Sequence, residues 1–231
     1  MQINANFRER VVVHSTRMPW TPSPSPGVER RMLDRVGDEV ARATSIVRYA
    51  PGCDFPTHTH HGGEEYLVLD GVFSDEQGDH GPGAYVRNPP TSRHAPRSRD
   101  GCTIFVKLWQ FDPADRTAIR RETAGAPYTA IPGRSGVAAV ALFDGARECV
   151  RLERWAPGTQ VHLPASGGIE ILVMAGAIVE GDAVLAPGSW LRLPADSPLR
   201  ARAEAQGAHL WIKTGHLADA RISTRPFLAG P

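Results

Sequence analysis

Histidines and glutamates are concentrated in one short stretch: three of the former and two of the latter lie between His58 and Glu65. Residues i and i+2 of a strand point to the same side, so His58 and His60 are expected to share a face. Glu64 follows a turn-like His-Gly-Gly sequence that can bring its carboxylate beside them, and His94 comes 30 residues later, after two prolines. Three imidazoles and one carboxylate suit Fe(II), Mn(II), Ni(II) or Zn(II) and not Ca(II). The sequence therefore predicts a site for one divalent transition metal, as opposed to a solvated polar loop.

Several neighbouring residues leave alternatives open. His61 has the opposite strand parity and is expected at the rim. Glu65 competes with Glu64 for the carboxylate role. Tyr66 shares parity with Glu64, so it is either a hydrogen-bond donor behind the site or a core residue. Arg87 and Trp109 are candidates for the mouth of a pocket, but a structural or surface role is the more common one for each.

The sequence contains an internal duplication. Arg48–Gly52 returns as Arg154–Gly158, and Gly101–Lys107 returns as Gly207–Lys213, both at an offset of 106 residues. Two further pairs occur in the same order, ending at Gly71 and Gly176 and beginning at Gly83 and Gly188. Each copy consists of short β-rich runs separated by Gly, Pro and Asp turns, which favours two small β-barrels.

Boundaries follow from the repeat and from local composition. We expect an extended, Pro-rich segment over 1–40, crossing a barrel surface with Trp20 as its apolar anchor. The first barrel is expected over 41–112, a polar linker over 113–136, the second barrel over 137–222 and a tail over 223–231.

Composition limits the classes of partner. A formal net charge of +1 and a charged fraction of 22% give no broad field for nucleic acid or anionic lipid, so neither nucleic acid nor a membrane is an expected partner. The amino terminus has no signal-peptide pattern and no long apolar run occurs, which favours a cytoplasmic protein. The three cysteines are widely spaced and are expected to be reduced.

The ligand residues also fit a known pattern. Gly52, His58, His60, Glu64 and Gly71, followed by Gly83, Pro89 and His94, resemble the two signature motifs of the cupin family with every ligand position filled. The resemblance implies an all-β fold of two tandem cupin (double-stranded β-helix, or jelly-roll) barrels, with the metal held by His58, His60, Glu64 and His94. Thr91 stands where the family often has glycine, and we expect it to alter only a turn.

The wider sequence resembles the cupin domain of ChrR-type anti-sigma factors and acetylacetone-dioxygenase-like cupins. ChrR-type proteins bind their sigma factor through an amino-terminal zinc domain with an H-x3-C-x2-C motif, which this sequence lacks. We therefore do not expect anti-sigma activity.

The second copy lacks the ligands. Alignment of the repeats, with one residue of slack, places Pro164, Ser166, Ile169 and Leu199 at the four ligand positions, and none of these is a good ligand. The second barrel is thus expected to bind no metal. The remaining histidines have no motif support and are assigned no role: His14, His80, His162, His209 and His216.

Two functions fit the predicted site. Octahedral geometry would leave two positions open for a small substrate and dioxygen, so the primary hypothesis is a dioxygenase-type enzyme acting on a diketone or keto-acid-like molecule. Closed tetrahedral zinc would instead suit a ChrR-like regulatory cupin that senses oxidative stress or a small ligand. A third interpretation is a metal-stabilised binding module. A homodimer is expected because cupins commonly pair through strands and barrel faces.

Overall fold

The computed structural model describes residues 1–164 and 166–218 and is all-β apart from a short 3₁₀ helix at Ser15–Arg17. The chain divides into two compact units. The first comprises Met1–Ala5 and Pro19–Gly125, and the second comprises Asn6–Met18 together with the described chain from Ala126 onward.

The first unit contains three antiparallel sheets. Its largest sheet has eight strands, in the order Gln2–Ile3, Val28–Gly37, Ala41–Tyr49, Cys102–Leu108, Glu64–Gly71, Tyr85–Asn88 and Ile119–Arg121, with Thr21–Pro22 beside Val28–Gly37. A four-stranded sheet has the order Gly78–His80, Phe73–Asp75, Arg97–Ser98 and Cys53–Asp54, and a two-stranded ribbon pairs Ser92–His94 with His58–His60.

The second unit repeats the order of the large sheet. Its nine strands run Thr129–Ala130, Val137–Asp144, Cys149–Trp155, Leu199–Thr214, Ile169–Glu180, Ser189–Leu193 and Val11–His14, with Gln160–Leu163 beside Leu199–Thr214 and Ala183–Leu185 beside Ile169–Glu180. Leu199–Thr214 is continuous where the first unit has three separate strands between Ser92 and Leu108. The duplication seen in the sequence is therefore also present in the strand order.

Each unit has its own apolar core. Val47, Val68, Val86 and Ile104 from the large sheet of the first unit pack with Phe73 from its four-stranded sheet, so side chains of the two sheets fill one interior. β-branched and aromatic residues dominate these runs, as expected for strands buried on one face. A larger aliphatic cluster fills the second unit.

The ends of the units differ from the sequence-based boundaries. Within 1–40, Val28–Gly37 is a long strand of the first unit, whereas Val11–His14 pairs with Ser189–Leu193 in the second. The stretch 113–136 is not only a linker, because Ile119–Arg121 and Thr129–Ala130 add edge strands to the two large sheets. The tail predicted over 223–231 lies outside the described residues. Residues 219–222, the predicted end of the second barrel, also lie outside them.

The Pro-rich segment lies along the first unit. Thr21–Pro22 pairs with Val28–Gly37. The ring of Trp20 contacts two guanidinium groups, with its centroid 4.1 Å from Cζ of Arg31 and 4.5 Å from Cζ of Arg48. Cation–π contacts thus hold the anchor residue, in place of the apolar burial expected for it. No helix in the described part of the chain has the length and hydropathy needed to cross a membrane.

Candidate metal centre

Two short strands bring the three predicted histidines together. His94 stands directly opposite His58 in the ribbon, and His60 lies two residues along the same strand, on the same face. The centroids of the three rings are 4.7 to 5.1 Å apart, and their ligand atoms all lie within 4.8 Å of one another. His60 and His94 are buried, whereas His58 is exposed.

The carboxylate of Glu64 completes the cluster. Its Oε2 lies 3.5 Å from Nε2 of His60 and 3.5 Å from Nε2 of His94. The same oxygen accepts a hydrogen bond of 3.1 Å from Nδ2 of Asn88, the residue opposite on the neighbouring strand. Glu65 is the next residue on the strand and lies on the other face, where it accepts a 3.0 Å hydrogen bond from the Tyr85 hydroxyl. The geometry therefore favours Glu64 over Glu65.

A glycine turn joins His60 to Glu64. Gly63 has φ +76°, which glycine adopts readily. A Cβ on Gly62 would lie 2.3 Å from the ring of Trp109, and one on Gly63 would lie 2.5 Å from the ring of Phe111. The two aromatic rings thus occupy the space that any larger residue would need.

The donor atoms of this cluster fit a transition metal. Nε2 of His60 and Nε2 of His94 are buried and form no hydrogen bond with any described residue. Leaving one buried polar atom unsatisfied costs about 1–3 kcal/mol, and a bound cation would satisfy both. Nδ1 of His58 lies 3.2 Å from the carbonyl of Pro56, and Nδ1 of His94 lies 3.1 Å from Oδ2 of Asp75. Both acceptors favour a proton on Nδ1, which leaves the Nε2 lone pair for the metal.

Two residues beside the cluster had no role in the sequence prediction. Asp75 is buried and contacts His94 through one oxygen and His80, at 3.5 Å, through the other. His80 is also buried, and its Nδ1 lies 3.5 Å from the exposed Glu122. Neither Asp75 nor His80 belongs to a ligand motif, and their positions depend on strand pairing between distant parts of the chain.

Burial and neighbouring charges shift the pKa values in opposite directions. Burial lowers the pKa of His60, and the neighbouring imidazoles add to this effect. Burial also opposes protonation of His94, but the hydrogen bond to Asp75 and the charge of Glu64 outweigh it and raise the pKa. For Asp75 burial is again the largest influence and favours protonation, yet the nearby imidazoles of His80 and His94 and the hydrogen bond from the Gln77 backbone N–H together hold its pKa well below the ordinary range.

A cavity of about 460 Å³ opens against the cluster. His58, His60 and Glu64 line it together with Trp109, which is one of the two residues expected at the mouth. Most of the remaining wall is apolar, and it includes Val28, Val47, Tyr49, Phe55, Phe73 and Leu108. Arg87 has the structural alternative: it is buried, donates to Asp115 at 3.1 and 3.2 Å, and stacks on Phe111 at 4.3 Å.

Three smaller expectations can be compared with the structure. His61 is exposed, in keeping with its strand parity. Tyr66 packs against Phe73 in the core, its hydroxyl forms no hydrogen bond with any described residue, and burial raises its pKa. The core-packing alternative for Tyr66 therefore fits better. Thr91 adopts φ +75°, so the turn keeps the backbone conformation that suits glycine, and the threonine is strained there.

The second unit carries aliphatic side chains at three of the four ligand positions. Ile169 and Leu199 are buried in its core, at the positions of Glu64 and His94. Leu163 pairs with Leu199 as His58 pairs with His94, so Leu163, one residue before the expected Pro164, occupies the His58 position. Pro164 and Ser166 are exposed.

The other histidines make separate contacts. His14 lies 3.0 Å from Ser189, His209 lies 2.7 Å from the Tyr128 hydroxyl, and His216 lies 2.9 Å from Glu170. His162 is exposed. None of these four belongs to the metal-ligating group found among the described residues.

Comparisons with known proteins agree with the fold. Residues 8–112 match the family model of the ChrR cupin-like domain. No curated protein matches the sequence.

Solved structures with a similar fold cover nearly the whole chain. A protein of Nostoc punctiforme, provisionally classed as a dioxygenase, has a TM-score of 0.72 and 13% identity over 95% of this chain and 88% of its own. The pirin YhhW of Escherichia coli in complex with nickel(II) has a TM-score of 0.64 and 12% identity, with 90% and 99% of the two chains covered. A variant of salicylate 1,2-dioxygenase from Pseudoaminobacter salicylatoxidans, in complex with gentisate, has a TM-score of 0.61 and 14% identity, with 94% and 85% covered. The chain thus has the cupin fold in two similar units, and its residues 8–112 resemble the ChrR cupin-like domain.

Proposed function

We propose that this chain is a metal-dependent dioxygenase that acts on a small oxygenated organic molecule of the diketone or keto-acid type. One observation carries the proposal. The imidazoles of His58 and His60 and the carboxylate of Glu64 line a cavity of about 460 Å³. A purely structural ion would need no such cavity, whereas an enzyme needs one for its substrate.

His58, His60, His94 and Glu64 are the residues that would hold the ion. Histidine and carboxylate ligands with open positions are typical of non-haem Fe(II) oxygenases, so we propose Fe(II) as the resident metal. It would supply Lewis-acid and redox chemistry toward an enolate and dioxygen.

The walls of the cavity define the substrate class. Val47, Phe55 and Leu108 are among the apolar residues of the wall, and Arg30, Arg35 and Glu39 add charged groups to it. The proposed substrate is a molecule with two neighbouring oxygens for the metal and a short apolar body for the apolar residues. The apolar wall would also exclude water from the reacting end of the substrate.

The reaction itself is balanced without a further reductant. For a β-diketone, the bond between the central carbon and one carbonyl carbon is cleaved. Dioxygen accepts four electrons from the substrate, and one of its atoms enters each product, a 2-oxoaldehyde and a carboxylic acid. Proposed substrates are therefore molecules that form an enolate.

Elemental analysis and oxygen uptake test the proposal. The protein is purified without added metal, its metal content is measured, and it is loaded anaerobically with Fe(II). An oxygen electrode then follows uptake with 2,4-pentanedione and with 2-keto acids. We expect uptake that requires both iron and substrate, that disappears in His58→Ala, and that persists in His162→Ala. Tightly bound zinc with no oxygen uptake would reject the enzyme.

The match to the ChrR cupin-like domain favours a second candidate, a regulatory cupin that senses oxidants or a small ligand through bound zinc. In that case the purified protein would contain zinc, and treatment with hydrogen peroxide would release it. Iron with substrate-dependent oxygen uptake would reject this candidate. We also propose a homodimer, which size-exclusion chromatography with light scattering would test.

A further inference from the structure

A buried carboxylate links His94 to a fourth histidine. Oδ2 of Asp75 lies 3.1 Å from Nδ1 of His94, and its Oδ1 lies 3.5 Å from Nε2 of His80 and accepts the Gln77 backbone N–H at 2.8 Å. Asp75 and His80 are 1% and 4% exposed. Nδ1 of His80 in turn lies 3.5 Å from the exposed Glu122.

The second unit provides an internal comparison for this array. Strand pairing aligns His80 with Leu185, because His80 stands opposite Phe73 just as Leu185 stands opposite Ile178. Asn88, which stands opposite Glu64, aligns in the same way with Leu193, which stands opposite Ile169. Leucine thus replaces His80 in the unit that has Leu163, Ile169 and Leu199 at ligand positions.

The carboxylate has a different partner in the second unit. Glu180 occupies the position of Asp75, and its Oε2 accepts hydrogen bonds from Nε and Nη2 of Arg10. A buried carboxylate needs hydrogen bonds or a counter-charge. In the second unit, where leucines replace the imidazoles, Arg10 donates these hydrogen bonds to Glu180. Asp75 therefore depends on His80 and His94, and the whole polar array is present in one unit and replaced in the other.

We propose that Asp75 and His80 are positioning residues for the ligand His94. Asp75 holds the proton of His94 on Nδ1 and fixes the ring so that Nε2 faces the cluster. His80 holds the second oxygen of Asp75 and so prevents the carboxylate from rotating away. Carboxylates in this position also increase the basicity of the ligand imidazole. This inference depends on the proposed metal site and not on the proposed reaction.

Metal affinity in matched variants tests the inference. We would measure Zn(II) and Co(II) affinity by competition with a chelator for the full chain and for Asp75→Asn, His80→Leu and Asp79→Asn. Asp79 is exposed on the strand of His80 and serves as the control. The substitution His80→Leu introduces leucine, which the second unit has at the equivalent position, where Leu185 is 0% exposed. Absorption spectra of the Co(II) forms report ligand geometry, which a loss of fold stability alone would not change.

The expected results separate the residues. Asp75→Asn should weaken metal binding by about 10- to 100-fold and shift the Co(II) bands. His80→Leu should change the metal affinity and the Co(II) bands in the same direction but by less. Asp79→Asn should leave the affinity and the bands unchanged. If Asp75→Asn fails to fold, His80→Leu decides the question alone.

Unchanged affinity and spectra in the folded variants would overturn the inference. A response in Asp75→Asn alone would overturn the part that concerns His80. Absence of metal binding in the full chain would instead reject the proposed site.

Discussion

The turn between His60 and Glu64 yields a prediction whose size follows from measured contacts. Gly62 lies outside the left-handed region, so alanine can adopt its backbone conformation. Only contact with Trp109 opposes the substitution Gly62→Ala. The new Cβ would lie 2.3, 2.4 and 2.6 Å from three atoms of the indole ring, whereas ordinary contact begins at 3.4 Å.

The ring must therefore move by roughly 1 Å, or the turn must move away from it. Inserting a methyl group into a packed site costs about 1–3 kcal/mol. Reduced flexibility of the unfolded chain offsets about 0.4–1 kcal/mol of that cost. Gly81→Ala provides the control, because Gly81 also lies outside the left-handed region and its Cβ would meet nothing within 4 Å. We expect Gly62→Ala to be less stable than Gly81→Ala by about 1–3 kcal/mol.

Native-state hydrogen exchange can measure this difference within the first unit. Protection of amides in Glu64–Gly71 gives the free energy of opening for that unit, and Ile169–Glu180 serves as the internal reference. The backbone N–H of Trp109 donates to the carbonyl of Gly63 at 3.0 Å, so a shift of Trp109 that relieves the contact with its indole should also move Glu64 and weaken metal binding. Equal protection in Gly62→Ala and Gly81→Ala would refute the packing argument. If Gly62→Ala is destabilised but binds metal with unchanged affinity, the predicted movement of Glu64 is refuted.

Three further predictions concern single residues. His58→Ala should sharply reduce the metal bound per chain, whereas His162→Ala should leave it unchanged, as measured by elemental analysis; equal losses would contradict the assignment of the repeats. Glu64→Gln should weaken Zn(II) binding in a chelator competition, whereas Glu65→Gln should mainly lower the urea midpoint, and the reverse pattern would favour Glu65 as the ligand. Burial lowers the pKa of His209 below the value of about 6.5 in the unfolded chain, so protons favour the unfolded state and stability should fall as the pH drops below about 6.5. Urea unfolding between pH 5 and 8 should show a weaker pH dependence in His209→Gln, and an unchanged dependence would contradict the assigned cause.

The two units separate what the fold requires from what the site requires. Glu65 stands opposite Lys107 in the first unit, and Glu170 stands opposite Lys213 in the second, with all four buried. A polar pair retained in both copies is consistent with a role in the common scaffold. Among the residues that the structure describes, an imidazole cluster occurs only in the first unit, where the cavity of about 460 Å³ opens against it. This contrast is the strongest structural argument that the cluster serves a function beyond folding.

The sequence by itself determined the local part of the site. The two-residue spacing of His58 and His60 places both side chains on one face of a strand, and the glycines before Glu64 indicate a turn. The repeats predicted two units, because similar strand patterns at a constant offset build similar sheets. These features depend on residues close together in the chain, where strand geometry relates sequence spacing directly to direction.

Only the tertiary structure decided the contacts between distant strands. Asp75 and His94 are 19 residues apart, and their hydrogen bond depends on the register of separate sheets. The sequence left open whether Arg87 lies at the cavity mouth or has a structural role; it lies on the opposite face of its strand from Asn88 and pairs with Asp115. Register determines which side chains meet across a barrel, and it results from the packing of the whole unit. No local pattern in the sequence specifies it.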